Sequence, residues 1–238
     1  MDATYQNGFG VLAVARADKG YQPEILVDNY QGERFGMIDA LTIAQNGDIY
    51  FTDASKGVVA SENDQYGAHF IGVVDAFANT QSGSVYVYRP STGKTEKLVS
   101  GLRFANGMQL VDDEKFLLLN ETFGNRVLKI DTQVRDAKVG DAGVSVLVDN
   151  IPAILDNMTR SANGKIWVGM PSAVLLKFSK GQQSHSAMAF SMDENGQVQD
   201  FYVDESGKFS RVTGVNETEN RLYFQHVGHN SLLPYVEK

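Results

Sequence analysis

The chain of 238 residues is 42% hydrophobic and 21% charged, an ordinary globular composition that argues against disorder. A formal net charge of −8 leaves no basic footprint for nucleic acid or an anionic membrane, and no run of about 18 apolar residues exists to span a bilayer. The absence of cysteine excludes disulfides, thiolate metal sites and cysteine nucleophiles.

Residues 1–20 show no basic start followed by an apolar stretch, so no signal peptide is visible and the compartment stays open. The 23 glycines against 5 prolines suit many tight turns between short strands. Two short strands are predicted first, at 9–14 and 24–27. The apolar segment 40–44 then leads through Asn46-Gly47-Asp48 into Ile49-Tyr50-Phe51-Thr52, with Asn-Gly supplying the positive φ angles of a tight hairpin. Strands at 84–88 and 97–99 follow, separated by a turn at 90–93.

The same phrase returns almost unchanged once, at 163–169, and more loosely twice, at 112–119 and 219–224. Segment 107–111 precedes 112–119, with strands at 126–130 and 144–148 behind it. Segment 157–160 precedes Asn163-Gly164-Lys165-Ile166-Trp167-Val168-Gly169, with strands predicted at 174–178 and 197–201. A closing partial unit spans 212–236. The repeat is a four-stranded antiparallel unit recurring at roughly 50–65 residues, and no stretch of about 12 residues forms an amphipathic helix.

A four-stranded unit cannot bury both faces alone, and radial stacking of such units is the stable solution. The expectation is therefore an all-β fold, a β-propeller forming a single domain over residues 1–238. A β-sandwich is the competing solution, and it predicts strand alternation without the long-period repeat. Tyr50, Phe116, Trp167 and Tyr223 occupy equivalent strands and are expected in the wedges between blades.

The turns that open the three full units carry the candidate chemistry. They read Gly36-Met37-Ile38-Asp39-Ala40-Leu41, Arg103-Phe104-Ala105-Asn106-Gly107-Met108 and Ile154-Leu155-Asp156-Asn157-Met158-Thr159-Arg160. In a propeller these turns sit at the mouth of the central channel, so the carboxylates and amides would converge. Ca²⁺ takes six to eight hard oxygen ligands of this kind, water included. The plainer reading makes Asn106-Gly107 a turn and Asp156-Asn157 a local backbone cap.

Phe104-Ala105-Asn106-Gly107-Met108, Phe116 to Thr122, Tyr50 to Ser55, and Asp156 to Arg160 with Gly164 to Gly169 resemble the strictosidine synthase-like proteins. The wider group includes paraoxonases, gluconolactonases and senescence-marker lactonases, all six-bladed propellers, and the resemblance runs from about residue 2 to residue 236. It implies that Asn106 and Asp156, with Asn157 as in paraoxonases, would hold a catalytic calcium, Asp39 ligating it or orienting water. Calcium-dependent relatives have Asn where Ile38 stands, and a Glu in an opening blade that this chain is expected to lack. The chain then covers roughly four and a half blades. Strictosidine synthase has a catalytic Glu where Thr213 stands, which argues against that activity.

Among the four histidines, His69 in the long segment 56–80 is the best acid–base candidate, with Asp156 as the other catalytic residue. No Gly-x-Ser-x-Gly nucleophile motif occurs. The functional expectation is a lactone or ester hydrolase, calcium-dependent, acting on a small-molecule substrate in the channel. The alternative is a non-catalytic propeller that binds a small ligand or a protein. A shortened ring would leave strand edges open to self-association, whereas a smaller closed ring would join the partial units at the two ends.

Overall fold

Strand follows strand in antiparallel order through the chain, as the alternation of apolar residues and turns requires. The computed structural model describes residues 2–6, 9–15, 20–56, 74–171, 187–204, 212–226 and 235–237. The first sheet holds β1 (Asp2–Gln6), β2 (Phe9–Ala15) and β3 (Pro23–Val27), and a small hairpin, β4 (Asn29–Tyr30) and β5 (Glu33–Arg34), follows it. The second sheet holds β6 (Ile38–Ile43), β7 (Ile49–Asp53), β8 (Gly83–Arg89) and β9 (Lys94–Leu102). The third holds β10 (Ala105–Val111), β11 (Phe116–Glu121), β12 (Arg126–Asp131) and β13 (Val144–Val148). The fourth holds β14 (Met158–Arg160), β15 (Ile166–Met170), β16 (Ala187–Met192) and β17 (Val198–Asp204). The fifth holds β18 (Val212–Glu217), β19 (Arg221–His226) and β20 (Tyr235–Glu237).

These are the blades of a β-propeller, each an up-and-down meander. The leading strands β1, β6, β10, β14 and β18 lie successively against one another. Helix among the described residues is confined to one turn at 74–78 and a 3₁₀ turn at Thr122–Gly124.

Two sequence expectations need correction. The first sheet has three strands, because Asp2–Gln6 pairs with β2 along its whole length. In the fourth sheet the third strand is Ala187–Met192, paired with both β15 and β17, and the segment predicted at 174–178 lies outside the described residues. Alanine and serine alternate with methionine and phenylalanine in that strand, which masks its strand character in composition.

The hairpin turns also differ in detail from the expected form. In both Asn46-Gly47 and Asn163-Gly164 only the glycine takes positive φ, at 87° in each. The Gly47 N–H donates to Ala44 O at 2.9 Å and the Gly164 N–H to Ser161 O at 2.9 Å. This is a type I turn closed by a left-handed glycine, the usual three-residue hairpin connection.

Alternation along each strand divides side chains between two blade interfaces. In β7, Ile49 and Phe51 pack with Leu12, Phe35 and Tyr86, while Tyr50 packs with Leu98, Met108 and Leu117. In β11, Leu117 and Leu119 share the latter cluster, while Leu118 joins Ile166, Val168 and Phe190. In β15, Trp167 turns away from that cluster toward Val215 and Phe224 of the fifth sheet. The indole N–H of Trp167 donates to a Glu217 carboxylate oxygen at 2.7 Å.

Tyr50 and Trp167 are thus wedge residues, as expected, and Phe116 packs partly buried beside the third interface cluster. Tyr223 is different: it is half-buried, with its ring 5.7 Å from that of Tyr235. Truncating a side chain in the middle of an interface tests the two-sided burial. Leu118→Ala is expected to cost about 2–5 kcal/mol in denaturant unfolding. A loss below about 1 kcal/mol, the size of a surface change, would contradict it.

Candidate functional site

The leading strand of each central blade begins with a break in register. Ile38 lies opposite Asp53 and Leu41 opposite Phe51, so Asp39 and Ala40 together face Thr52. Ala105 lies opposite Glu121 and Met108 opposite Leu119, so Asn106 and Gly107 together face Asn120. In the fifth sheet Thr213 is the extra residue between Val212 and Gly214. Ahead of β14, the Asp156 N–H donates to Gly169 O at 3.0 Å and the Gly169 N–H to Asn157 O at 3.1 Å. Such bulges bend a strand and re-aim its side chains, and they recur beside functional sites.

The bulges of neighbouring blades bond directly to one another. The Gly107 N–H donates to Asp156 O at 3.2 Å, and the Asn157 N–H to Thr213 O at 2.8 Å. A Cβ on Gly107 would stand 2.5 Å from both Asp156 O and Met158 N. Gly107 is therefore required by close backbone approach between blades, not by a turn.

Asn106 and Asp156 are in contact, the Asn106 side chain hydrogen-bonding the Asp156 carboxylate. Asp39 is near enough for its charge to act on the same group. Both carboxylates keep some accessible surface, yet the surrounding protein strongly penalises their charge. Burial pushes Asp39 up to about 6. Burial and then the Asp39 charge push Asp156 up to about 8, against the opposing hydrogen bonds from Asn106 and the Asn157 backbone. Asn106 is buried, and its Oδ1 has no hydrogen-bond partner among the described residues.

The structure thus brings together Asp39, Asn106 and Asp156 from three blades, with the Asn157 backbone beside them. Ile38 belongs to the core, packed with Leu12, Phe35 and Phe51. Thr213 offers its carbonyl to Asn157. His69 lies outside the described residues, as do His185 and His229, and the side chain of His226 is not described.

Two buried acids escaped the sequence reading. The Asp53 carboxylate accepts the N–H groups of Gly36 at 3.0 Å and Met37 at 2.9 Å, holding the turn that leads to Asp39. Burial pushes Asp53 up to about 6, although those bonds and Lys56 oppose the shift. Glu121 accepts the Arg103 N–H at 2.8 Å, holding the turn that leads to Asn106, and pairs with Arg126 at 2.5 Å. A carboxylate closing an otherwise apolar strand, as in Phe51-Thr52-Asp53 and Leu119-Asn120-Glu121, is the signal that could have found both.

The stacked antiparallel blades define the class as β-propeller, and comparison with known proteins agrees. Residues 61–194 match the family model of the SMP-30/gluconolactonase/LRE-like region, and the chain belongs to that family. It is 27% identical to strictosidine synthase-like protein 4 of Arabidopsis thaliana over 93% of this chain and 60% of that protein. It is also 27% identical to the adipocyte plasma membrane-associated protein of Salmo salar, over 87% of this chain and 47% of that one. The chain spans about half the length of the curated relatives it matches, 38% to 60% in the first three. Among solved structures, a gluconolactonase from Xanthomonas campestris superposes with a TM-score of 0.58 at 18% identity, covering 90% of this chain and 61% of that one. A calcium-binding regucalcin from Agrobacterium tumefaciens superposes with a TM-score of 0.57 at 14% identity, covering 96% and 68%. No helix among the described residues is long and apolar enough to cross a membrane.

The raised carboxyls have a consequence for stability. A carboxyl whose folded-state pKa exceeds its unfolded value, about 3.9 for Asp, binds its proton more tightly in the folded protein. Stability should therefore fall as pH rises, from about 4 to 6 through Asp39 and Asp53 and on to about 8 through Asp156. Asp156→Asn should flatten the upper part of that slope in melts between pH 6 and 8. An unchanged slope would place the titrating group elsewhere.

Proposed function

We propose that this chain is a hydrolase of lactones or esters whose channel site holds a calcium ion on Asn106, Asp156, Asn157 and Asp39. The observation that carries the reading is the convergence of two carboxylates and a buried amide oxygen without a partner. Uncompensated, this arrangement costs stability, and a divalent cation would reverse the sign of that cost. The donors are hard oxygens, the set that suits Ca²⁺. Among the described residues no three of His, Cys, Asp or Glu form a metal cluster, so amides and water would complete the shell. The gluconolactonase and the calcium-binding regucalcin that share this fold support both halves of the reading.

Held by Asn106, Asp156, Asn157 and Asp39, calcium would supply Lewis-acid polarisation of a substrate carbonyl. The chain's own residues supply the frame. Asn106 donates from one blade to Asp156 of the next, fixing the two oxygen donors relative to each other. Asp39, from a third blade, is the second carboxylate and can orient a water at the mouth. His69 is the acid–base group of this proposal.

A second reading, ligand binding without catalysis, is favoured by Ile38, which is core where calcium-dependent relatives carry a ligand. It predicts neither calcium uptake nor turnover across lactone and aryl-ester panels, the propeller instead binding a small ligand or a protein.

The experiment is calorimetric titration of calcium into metal-stripped protein, with Asp156→Ala beside it. The intact protein is expected to bind and, at 100 times the dissociation constant, to gain about 2.7 kcal/mol of stability. Asp156→Ala is expected to lose that gain and the turnover together. Undiminished hydrolysis by the variant would remove Asp156 from the chemistry.

A further inference from the structure

The segment that delivers Asp156 is irregular from residue 149 to residue 157. Its carbonyls are held by the preceding blade. Asn125 Nδ2 donates to Ala153 O at 2.9 Å, Thr122 Oγ1 to Leu155 O at 2.8 Å, and Asn120 Nδ2 to Asp156 O at 2.6 Å. Three side chains at the end of β11 and in the turn after it thus stitch the third blade to the fourth. Only Asn120 reaches the residue that bears the site's carboxylate. Its donor and the Gly107 N–H meet on one carbonyl oxygen.

The equivalent position in the second blade shows what is particular here. Thr52, facing the bulge of its own sheet, accepts the Ala40 N–H at 2.9 Å. Asn120 also faces its own sheet's bulge, yet its donor crosses to the next blade. Asn120 is fully buried, and its Oδ1 has no hydrogen-bond partner among the described residues. Burying an unpaired acceptor is unfavourable, so an amide is poorly explained here by stability alone.

We propose that Asn120 is a positioning residue for Asp156. By holding the Asp156 carbonyl it sets the direction of the Asp156 carboxylate relative to Asn106. The inference rests on the reading of Asp156 as the site's main carboxylate. Partners that orient a ligand from behind typically contribute roughly 10–100-fold in metal affinity.

The test compares Asn120→Ala and Asn120→Asp with Thr122→Val, which removes the neighbouring stitch. Asn120→Asp keeps the shape but turns an acceptor toward the Asp156 carbonyl. Calcium affinity is measured by calorimetry and the Gly107 amide by hydrogen exchange. Both Asn120 variants are expected to bind calcium roughly 10–100-fold more weakly and to exchange the Gly107 amide faster. Thr122→Val is expected to melt earlier while keeping both properties. If Asn120→Ala does not fold, Asn120→Ser takes its place.

Parental calcium affinity and parental Gly107 exchange in the Asn120 variants would overturn the proposal. So would equal changes in Thr122→Val, because the stitch would then be structural throughout. If the unsubstituted protein takes up no calcium, the metal reading fails alone, and Gly107 exchange decides the positioning role.

Discussion

Every feature of this protein depends on sheets that are buried on both faces. A strand with one wet face needs only alternate apolar residues, but β7, β11 and β15 have a neighbouring blade on either side. Leu117, Leu118 and Leu119 are all fully buried because odd and even positions serve different interfaces. The blade therefore has no stable existence apart from its neighbours, and apolar burial between blades is the dominant favourable term. The same packing brings the leading strands so close that Gly107 cannot carry a side chain.

Polar groups at the axis are set against that apolar frame. Asp39, Asn106 and Asp156 occupy bulges, where the ladder is already interrupted and side chains can leave the regular alternation. Holding two carboxylates near each other where water is scarce is unfavourable, and burial raises the pKa of both. Behind them stand Asp53 and Glu121, which fix the turns that open two blades, and Asn120, which ties a third. The site is thus a local conflict held in place by the hydrogen bonds of these buried side chains to backbone groups, the pattern expected where structure serves binding or chemistry.

Much of the architecture was legible in the residues, for identifiable reasons. Asn46-Gly47 and Asn163-Gly164 mark hairpins because a left-handed residue is needed and glycine adopts it freely. The returning phrase around them marks the blades, and the shared offset of Asp39, Asn106 and Asp156 from their strands marks where the register breaks. Ala187–Met192 was hidden because its alternation uses small and sulfur-bearing residues in place of β-branched ones. Asp2–Gln6 was hidden because its evidence is its pairing with β2. The acids Asp53 and Glu121 went unread because their partners are backbone N–H groups, which any sequence supplies.

The sequence by itself determined that the chain is all-β, that its units repeat, and which oxygen-bearing residues stand at the head of each repeat. Periodicity and turn chemistry are local, so they survive in one dimension. Only the tertiary structure decided that Asp39 and Asp156 are buried near each other, that Ile38 is core, and that Asn120 reaches across a blade boundary to Asp156. Those are relations between residues up to 117 positions apart, as between Asp39 and Asp156. They arise when the blades stack, because stacking excludes the water that would otherwise screen the charges and satisfy the carbonyls.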